Sequence, residues 1–130
     1  MKLLRLSKSV ISIRERKAVE KVLKKGFLGM GPEVYQFEKD LKSFFKREVV
    51  CFNSGTAALQ IALQASGIGA NDEVLVPSIT YVASYQAISA TGAKPISCDI
   101  DLKNMQVSLI DLKKKVTKKT KAIMPVHFAG

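Results

Sequence analysis

From Glu48 onward short apolar runs alternate with stretches of helical periodicity, and this alternation constrains the fold more than any other feature of the chain. The runs are VVCF (Val49 to Phe52), EVLVP (Glu73 to Pro77), KPISCD (Lys94 to Asp99) and AIMPVHF (Ala122 to Phe128). All four are expected to be buried strands. Helices are expected between them, over Thr56 to Ser66, about Tyr81 to Thr91, and Leu109 to Lys115, the last behind a Ser108 cap with Asp111 three residues on. A strand-then-helix repeat of this kind specifies an α/β domain with a mainly parallel central sheet flanked by helices. Such a sheet is normally covered on both faces, and the sequence stops directly after its last apolar run. The expectation is therefore an incomplete domain.

Before Glu48 the rhythm is purely helical. Ser12 and Glu15 form a capping box ahead of Ala18, Val19, Val22 and Leu23, which share one helical face, and Gly26 after Lys24 and Lys25 should end that helix. FLGMGP then connects to a second helix, opened by Pro32 and carrying Val34, Phe37, Leu41 and Phe44 on a stripe. Residues 1–47 are read as a helical segment and residues 48–130 as the first part of the layered domain.

The chain of 130 residues is 47% hydrophobic and 25% charged, a composition that folds. Its formal charge of +10 raises a small basic nucleic-acid-binding module as an alternative function. The excess is uneven, however: KKKVTKKTK (Lys113 to Lys121) holds six lysines at the end of an expected helix, where they favour the carbonyl end of the dipole and stay solvated. Neither an aromatic surface interleaved with arginine nor a helix-turn-helix or zinc spacing accompanies them. Neither nucleic acid nor a membrane is expected as a partner. Cys51 and Cys98 lie in apolar runs without metal-ligand spacing and read as buried free thiols in a reducing compartment. In MKLLRLSKSVISIRERK, Arg5, Ser7 and Lys8 interrupt any export signal or membrane span, so a cytoplasmic location is expected.

The chemistry-bearing stretch is NSGTAALQIALQASG, from Asn53 to Gly67. A strand, a Ser54-Gly55-Thr56 turn and a helix together put backbone N–H groups and two hydroxyls at the carboxyl edge of the sheet, where α/β folds hold phosphorylated ligands. Gly55 lets a ligand approach the backbone closely. The plainer reading, that Ser54 or Thr56 is a helix cap and nothing more, stands beside it. Nucleotide motifs fit poorly: no G-x-x-x-x-G-K-[ST] is present, and GIGAND (Gly67 to Asp72) lacks a third glycine and precedes a strand instead of following one. Further on, VPSITYVASYQAI places Tyr81 between a strand end and a helix start, where its ring can stack on a flat heterocycle or simply cover the core.

FLGMGPEVYQFEKDL, the stretch from Asn53 to Asp101 and TKAIMPVHFAG, in this order and spacing, resemble the front of the DegT/StrS-type sugar aminotransferases, enzymes of fold type I that depend on pyridoxal 5′-phosphate (PLP). The likeness runs from about Ser12 to Gly130. It implies that Ser54, Gly55 and Thr56 hold the cofactor phosphate and that Tyr81 lies against the pyridine ring. It also implies that Phe27 to Pro32 form a loop near the active site and dimer interface, with Gly29 and Gly31 supplying its freedom. His127 matches the family's strand-end pattern and receives no catalytic role. The implied reaction moves an amino group, with glutamate as the expected donor, onto a nucleotide-linked keto sugar, in cell-surface polysaccharide or amino-sugar biosynthesis. In the family the lysine that binds the cofactor and the acid that pairs with its ring nitrogen lie beyond the strand matching AIMPVHF. The chain by itself is therefore expected to be inert, to be completed by a second chain or to assemble as a homodimer, and to bind PLP weakly if at all. A PLP-dependent sugar dehydratase is the alternative within the family.

Overall fold

The computed structural model describes residues 8–128; residues 1–7 of the basic amino-terminal stretch, and the final Ala129 and Gly130, lie outside the described residues. The chain divides between Cys51 and Phe52 into two compact units.

The first unit contains α1 (Ile13–Lys25) and α2 (Pro32–Phe45). Local chemistry sets the bounds of both. Ser12 and Glu15 form the expected reciprocal capping box, and Gly26 closes α1 in the left-handed conformation, φ 71°. Pro32 opens α2, and Lys46 ends it at φ 55°. Neither helix buries a residue: Val19 and Leu23 on α1, and Phe37 and Phe44 on α2, stay exposed. Gly31 lies close to the Phe27 ring. A Cβ there would lie 2.6 Å from that ring, which would have to shift to admit it.

The second unit runs from α3 (Gly55–Ala65) through β1 (Glu73–Pro77), α4 (Ala83–Ala90), β2 (Lys94–Cys98), α5 (Leu109–Lys115) and β3 (Thr120–Ile123). The three strands form one parallel sheet in the order β2-β1-β3, with Glu73 opposite Lys94 and Pro77 opposite Cys98. This is the expected mixed α/β architecture. One face of β1 sends Val74 and Val76 into a cluster with Leu63, Ile68, Ile88 and Ala93, and the opposite face sends Leu75 against Cys98 and Leu112. Burial on both sides explains why β1 reads as a continuous apolar run instead of alternating. At roughly 1.5–3 kcal/mol per fully buried aliphatic side chain, this sandwich around β1 is the main source of cohesion in the unit.

Two expected strands change. VVCF forms no strand, because no ladder partner lies beside it among the described residues. Instead, the Cys51 N–H donates to the Glu38 carboxylate at 2.7 Å. AIMPVHF begins pairing two residues early, at Thr120, and stops at Ile123; one further bond, from Met124 N–H to the Leu75 carbonyl at 2.8 Å, carries the alignment slightly on. Cys98 is buried as expected, whereas Cys51 is half-buried; both are free thiols.

Candidate functional site

The strand ends bring the sequence-derived site residues to one edge. Pro77 and Cys98 close β1 and β2 level with each other, and the Ser78 N–H donates to the Cys98 carbonyl at 2.7 Å, so the segment carrying Tyr81 leaves the sheet at its carboxyl edge. At the amino edge, the turns that follow α3 and α4 abut, since a Cβ on Gly92 would lie 3.4 Å from the Ala70 nitrogen. With α3 packed on α4 and both carboxyl ends at the amino edge, both helix amino termini point to the carboxyl edge. Ser54 to Thr56 and Tyr81 therefore share that edge.

The amino end of α3 has spare hydrogen-bonding capacity. Ser54 is the N-cap: its backbone is extended (φ −155°, ψ 155°), its Oγ accepts from Ala57 N–H at 3.1 Å, and its carbonyl accepts from Ala58 N–H at 3.1 Å. Among the described residues, no acceptor meets the N–H of Gly55 or Thr56. Capping and anion binding are compatible here, because a serine hydroxyl that accepts from Ala57 still has its proton to donate. Gly55 has space above it: an added Cβ would meet nothing within 4 Å. Two unpaired N–H groups under open space, at the positive end of an 11-residue helix, can receive a phosphate.

Tyr81 is 79% exposed, which excludes the reading in which its ring covers the core. Its side chain makes no hydrogen bond among the described residues, so the ring face is available for stacking. α4 starts at Ala83, two residues later than expected, leaving Tyr81 on the connecting turn. His127 is exposed, and its Nδ1 donates to Gln106 Oε1 at 3.3 Å. That contact ties the segment after β3 to the turn before α5.

The lysine-rich run is partly committed to structure. Lys115 Nζ pairs with Asp111 at 2.7 Å and donates to the Ser97 carbonyl at 2.9 Å, while Asp111 also accepts from Asp99 N–H at 2.7 Å. The Asp111 hydrogen bond holds the Lys115 ammonium above its ordinary pKa. Lys113 and Lys114 are exposed on the last turn of α5, in keeping with the helix dipole. Lys94 opens β2 at the amino edge, away from Ser54.

Sequence reasoning missed two hydroxyl pairs that involve residues near Tyr81 in the chain. Tyr85 Oη donates to Ser97 Oγ at 2.9 Å, and Thr80 Oγ1 lies 2.8 Å from Ser84 Oγ. The Thr80–Ser84 spacing of four is visible in the sequence; the Tyr85–Ser97 pairing needs the sheet. Among the described residues no group of acidic, histidine or cysteine side chains could hold a metal ion, and no helix is long and apolar enough to cross a membrane.

Residues 10–130 match the model of the DegT/DnrJ/EryC1/StrS aminotransferase family. The chain is 41% identical over 122 residues to the spore coat polysaccharide biosynthesis protein SpsC of Bacillus subtilis, covering 93% of this chain and 31% of that protein. It is 33% identical to the dTDP-4-dehydro-2,3,6-trideoxy-D-glucose 4-aminotransferase of Saccharopolyspora spinosa over 131 residues, covering 98% of this chain and 34% of that protein. A Streptococcus pneumoniae protein named as a candidate sugar aminotransferase, solved in its PLP form, superposes with a TM-score of 0.89 at 35% identity, over 98% of this chain and 33% of its own. The 130 residues thus span about a third of the length of the relatives they match. On a family match that runs from Val10 through every element of the fold, this chain belongs to the DegT/DnrJ/EryC1/StrS aminotransferase family.

Proposed function

We propose that Ser54, Gly55, Thr56 and Tyr81 form the cradle for pyridoxal 5′-phosphate in an aminotransferase acting on a nucleotide-linked keto sugar. The observation that carries this reading is the pair of unengaged N–H groups under open space at Gly55, on the same sheet edge as an exposed aromatic ring. The residues fit the cofactor's two ends. Gly55 and Thr56 N–H groups and the Ser54 and Thr56 hydroxyls would donate to phosphate oxygens, the α3 dipole would favour their charge, and the Tyr81 ring would offer its face to the flat heterocycle. When bound, PLP supplies an electron sink for the carbon that gains or loses the amino group. The name of the Saccharopolyspora spinosa relative supports a nucleotide-linked keto sugar as acceptor. Glutamate as donor and a cytoplasmic setting belong to the same proposal.

The proposal extends to the division of labour. Residues 1–47 serve as a helical segment and residues 48–130 as the front of the cofactor domain, which cradles PLP without catalysing transfer by itself. Support comes from the lysines: Lys115 is tied to Asp111, Lys94 opens the opposite edge, and Lys113, Lys114, Lys118, Lys119 and Lys121 are exposed. The covalent lysine and the acid for the ring nitrogen then come from elsewhere in the assembly, whether from further chain, a second chain or the other subunit of a homodimer.

The test is to titrate the purified chain with PLP, following absorbance and the amide resonances of residues 54–57, then reduce with borohydride and map peptides. Saturable shifts at Gly55 and Thr56 without a specific lysine adduct are expected. An adduct on one lysine overturns the claim of inertness, and unmoved resonances at Gly55 and Thr56 overturn the cradle.

A further inference from the structure

We propose that Ser84, acting through Thr80, is a positioning residue that sets the attitude of the Tyr81 ring. The inference rests on the reading of Tyr81 as a platform for a flat ring. Tyr81 is 79% exposed and its side chain makes no hydrogen bond among the described residues. Whatever orients the ring must therefore act on the turn that carries it.

That turn is anchored firmly at its strand side. Ser78 N–H donates to the Cys98 carbonyl at 2.7 Å, and Tyr85 Oη reaches Ser97 Oγ at 2.9 Å and the Pro77 carbonyl at 3.4 Å. At the helix side the usual device is absent. Val82 stands at the N-cap of α4 and makes no side-chain cap bond. Ser84 takes over: its Oγ lies 2.8 Å from Thr80 Oγ1, and its N–H donates to the Tyr81 carbonyl at 3.0 Å. One residue thus grips the turn on both sides of Tyr81.

Burial makes this grip specific. Ser84 is 6% exposed and is the one buried polar side chain among the described residues, flanked on its helix by buried Ala83, Ala87 and Ile88. Alanine would suit such a position, and a buried hydroxyl is unfavourable unless paired. Thr80 is its partner. Without the pair, Thr80 keeps a poorer contact at 3.4 Å to the Tyr81 carbonyl, the turn samples more conformations, and ordering the ring on a ligand costs more.

The experiment uses the full chain with Ser84→Ala, Ser84→Thr and, as a second route to the same loss, Thr80→Val. In the free protein, NMR relaxation should show Ser84→Ala and Thr80→Val loosening residues 79–82 while leaving Thr56 unchanged, with Ser84→Thr restoring order. In titrations, both hydroxyl losses should weaken PLP about fivefold, the scale of one neutral hydrogen bond, with inorganic phosphate binding unchanged. In a Tyr81→Ala background Ser84→Ala should add nothing. Unchanged order at Tyr81, equal weakening of phosphate, or an additive double variant overturns the proposal. If Tyr81→Ala itself leaves PLP affinity unaltered, or the chain binds no PLP, the platform reading falls and takes this inference with it. If Tyr81→Ala weakens PLP and Ser84→Ala does not, the positioning role alone is refuted.

Discussion

Gly55→Ala separates ligand access from stability. Gly55 is the first residue of α3, is absent from the positive-φ glycines Gly26, Gly67 and Gly92, and an added Cβ there meets nothing within 4 Å. A methyl group is therefore free of both strain and clash. Alanine also loses less backbone entropy than glycine on entering a helix, a gain of about 0.5–1 kcal/mol in helix interiors and smaller at a first turn. Taking about 0.5 kcal/mol as the upper figure, the melting temperature should stay level or rise by about 2–4 °C. Affinity should move the other way. On the proposed cradle the methyl stands where a phosphate would approach the Gly55 backbone, and hydrogen bonds to a charged acceptor contribute about 1.5–3 kcal/mol each, so displacing one weakens phosphate and PLP by about 10-fold to 100-fold. Thermal unfolding by circular dichroism and calorimetric titration measure the two quantities on one sample. The contrast is Ser54→Ala, which removes the bond to Ala57 N–H and should lower stability by about 1 kcal/mol together with affinity. A Gly55→Ala chain that melts several degrees lower would mean that the position is enclosed, and one that binds like wild type would mean that the anion does not approach there; either result refutes the reasoning.

Ile88→Ala, at a fully buried position in the cluster with Leu63, Val74 and Val76, should cost about 2–5 kcal/mol in urea unfolding, whereas Ile110→Ala, exposed on α5, should stay within about 0.5 kcal/mol. The Asp111–Lys115 staple should shape the pH profile. The Lys115 hydrogen bond, followed by the Asp99 N–H, holds the Asp111 carboxyl below its ordinary 3.8, so the stabilisation is present above that value and is lost as pH falls through the depressed pKa. Lys115 is raised above its ordinary 10.5, chiefly by Asp111, so the same contact is present below that value and is lost as pH climbs through the raised one. The melting temperature of Asp111→Asn should thus trail wild type across the interval between, and the gap should close at both extremes; a gap that persists in strong acid would show that the carboxylate's charge is irrelevant to the staple.

The helix starts that carry a cap or an opening proline were legible because these signals are local, whereas α4, with Val82 and no side-chain cap, begins two residues later than expected. Ser12 with Glu15, Pro32, Ser54 and Ser108 each bond or constrain backbone within four positions of themselves, and each marks the start of a helix in the structure. β1 was legible because four apolar residues in a row, Val74 to Pro77, have few alternatives to burial on both sides. VVCF carries the same kind of signal and forms no strand, because a strand also requires a neighbour to complete its ladder, and that neighbour is not encoded in the run itself.

The cradle follows the same division. Composition and order already placed a serine, a glycine and a threonine at a helix mouth, with a tyrosine after the next strand. Whether those groups were free depended on packing. The closeness of Gly92 to Ala70 shows that α3 and α4 run in one direction, and this direction brings both helix mouths to a single edge. Exposure of Tyr81, burial of Ser84 and the reach of Lys115 to the Ser97 carbonyl, 18 residues away, likewise arise from the sheet bringing distant segments together. Short-range bonding writes itself into neighbouring residues, whereas solvent access is a property of everything that surrounds a group, so it appears once the chain has folded.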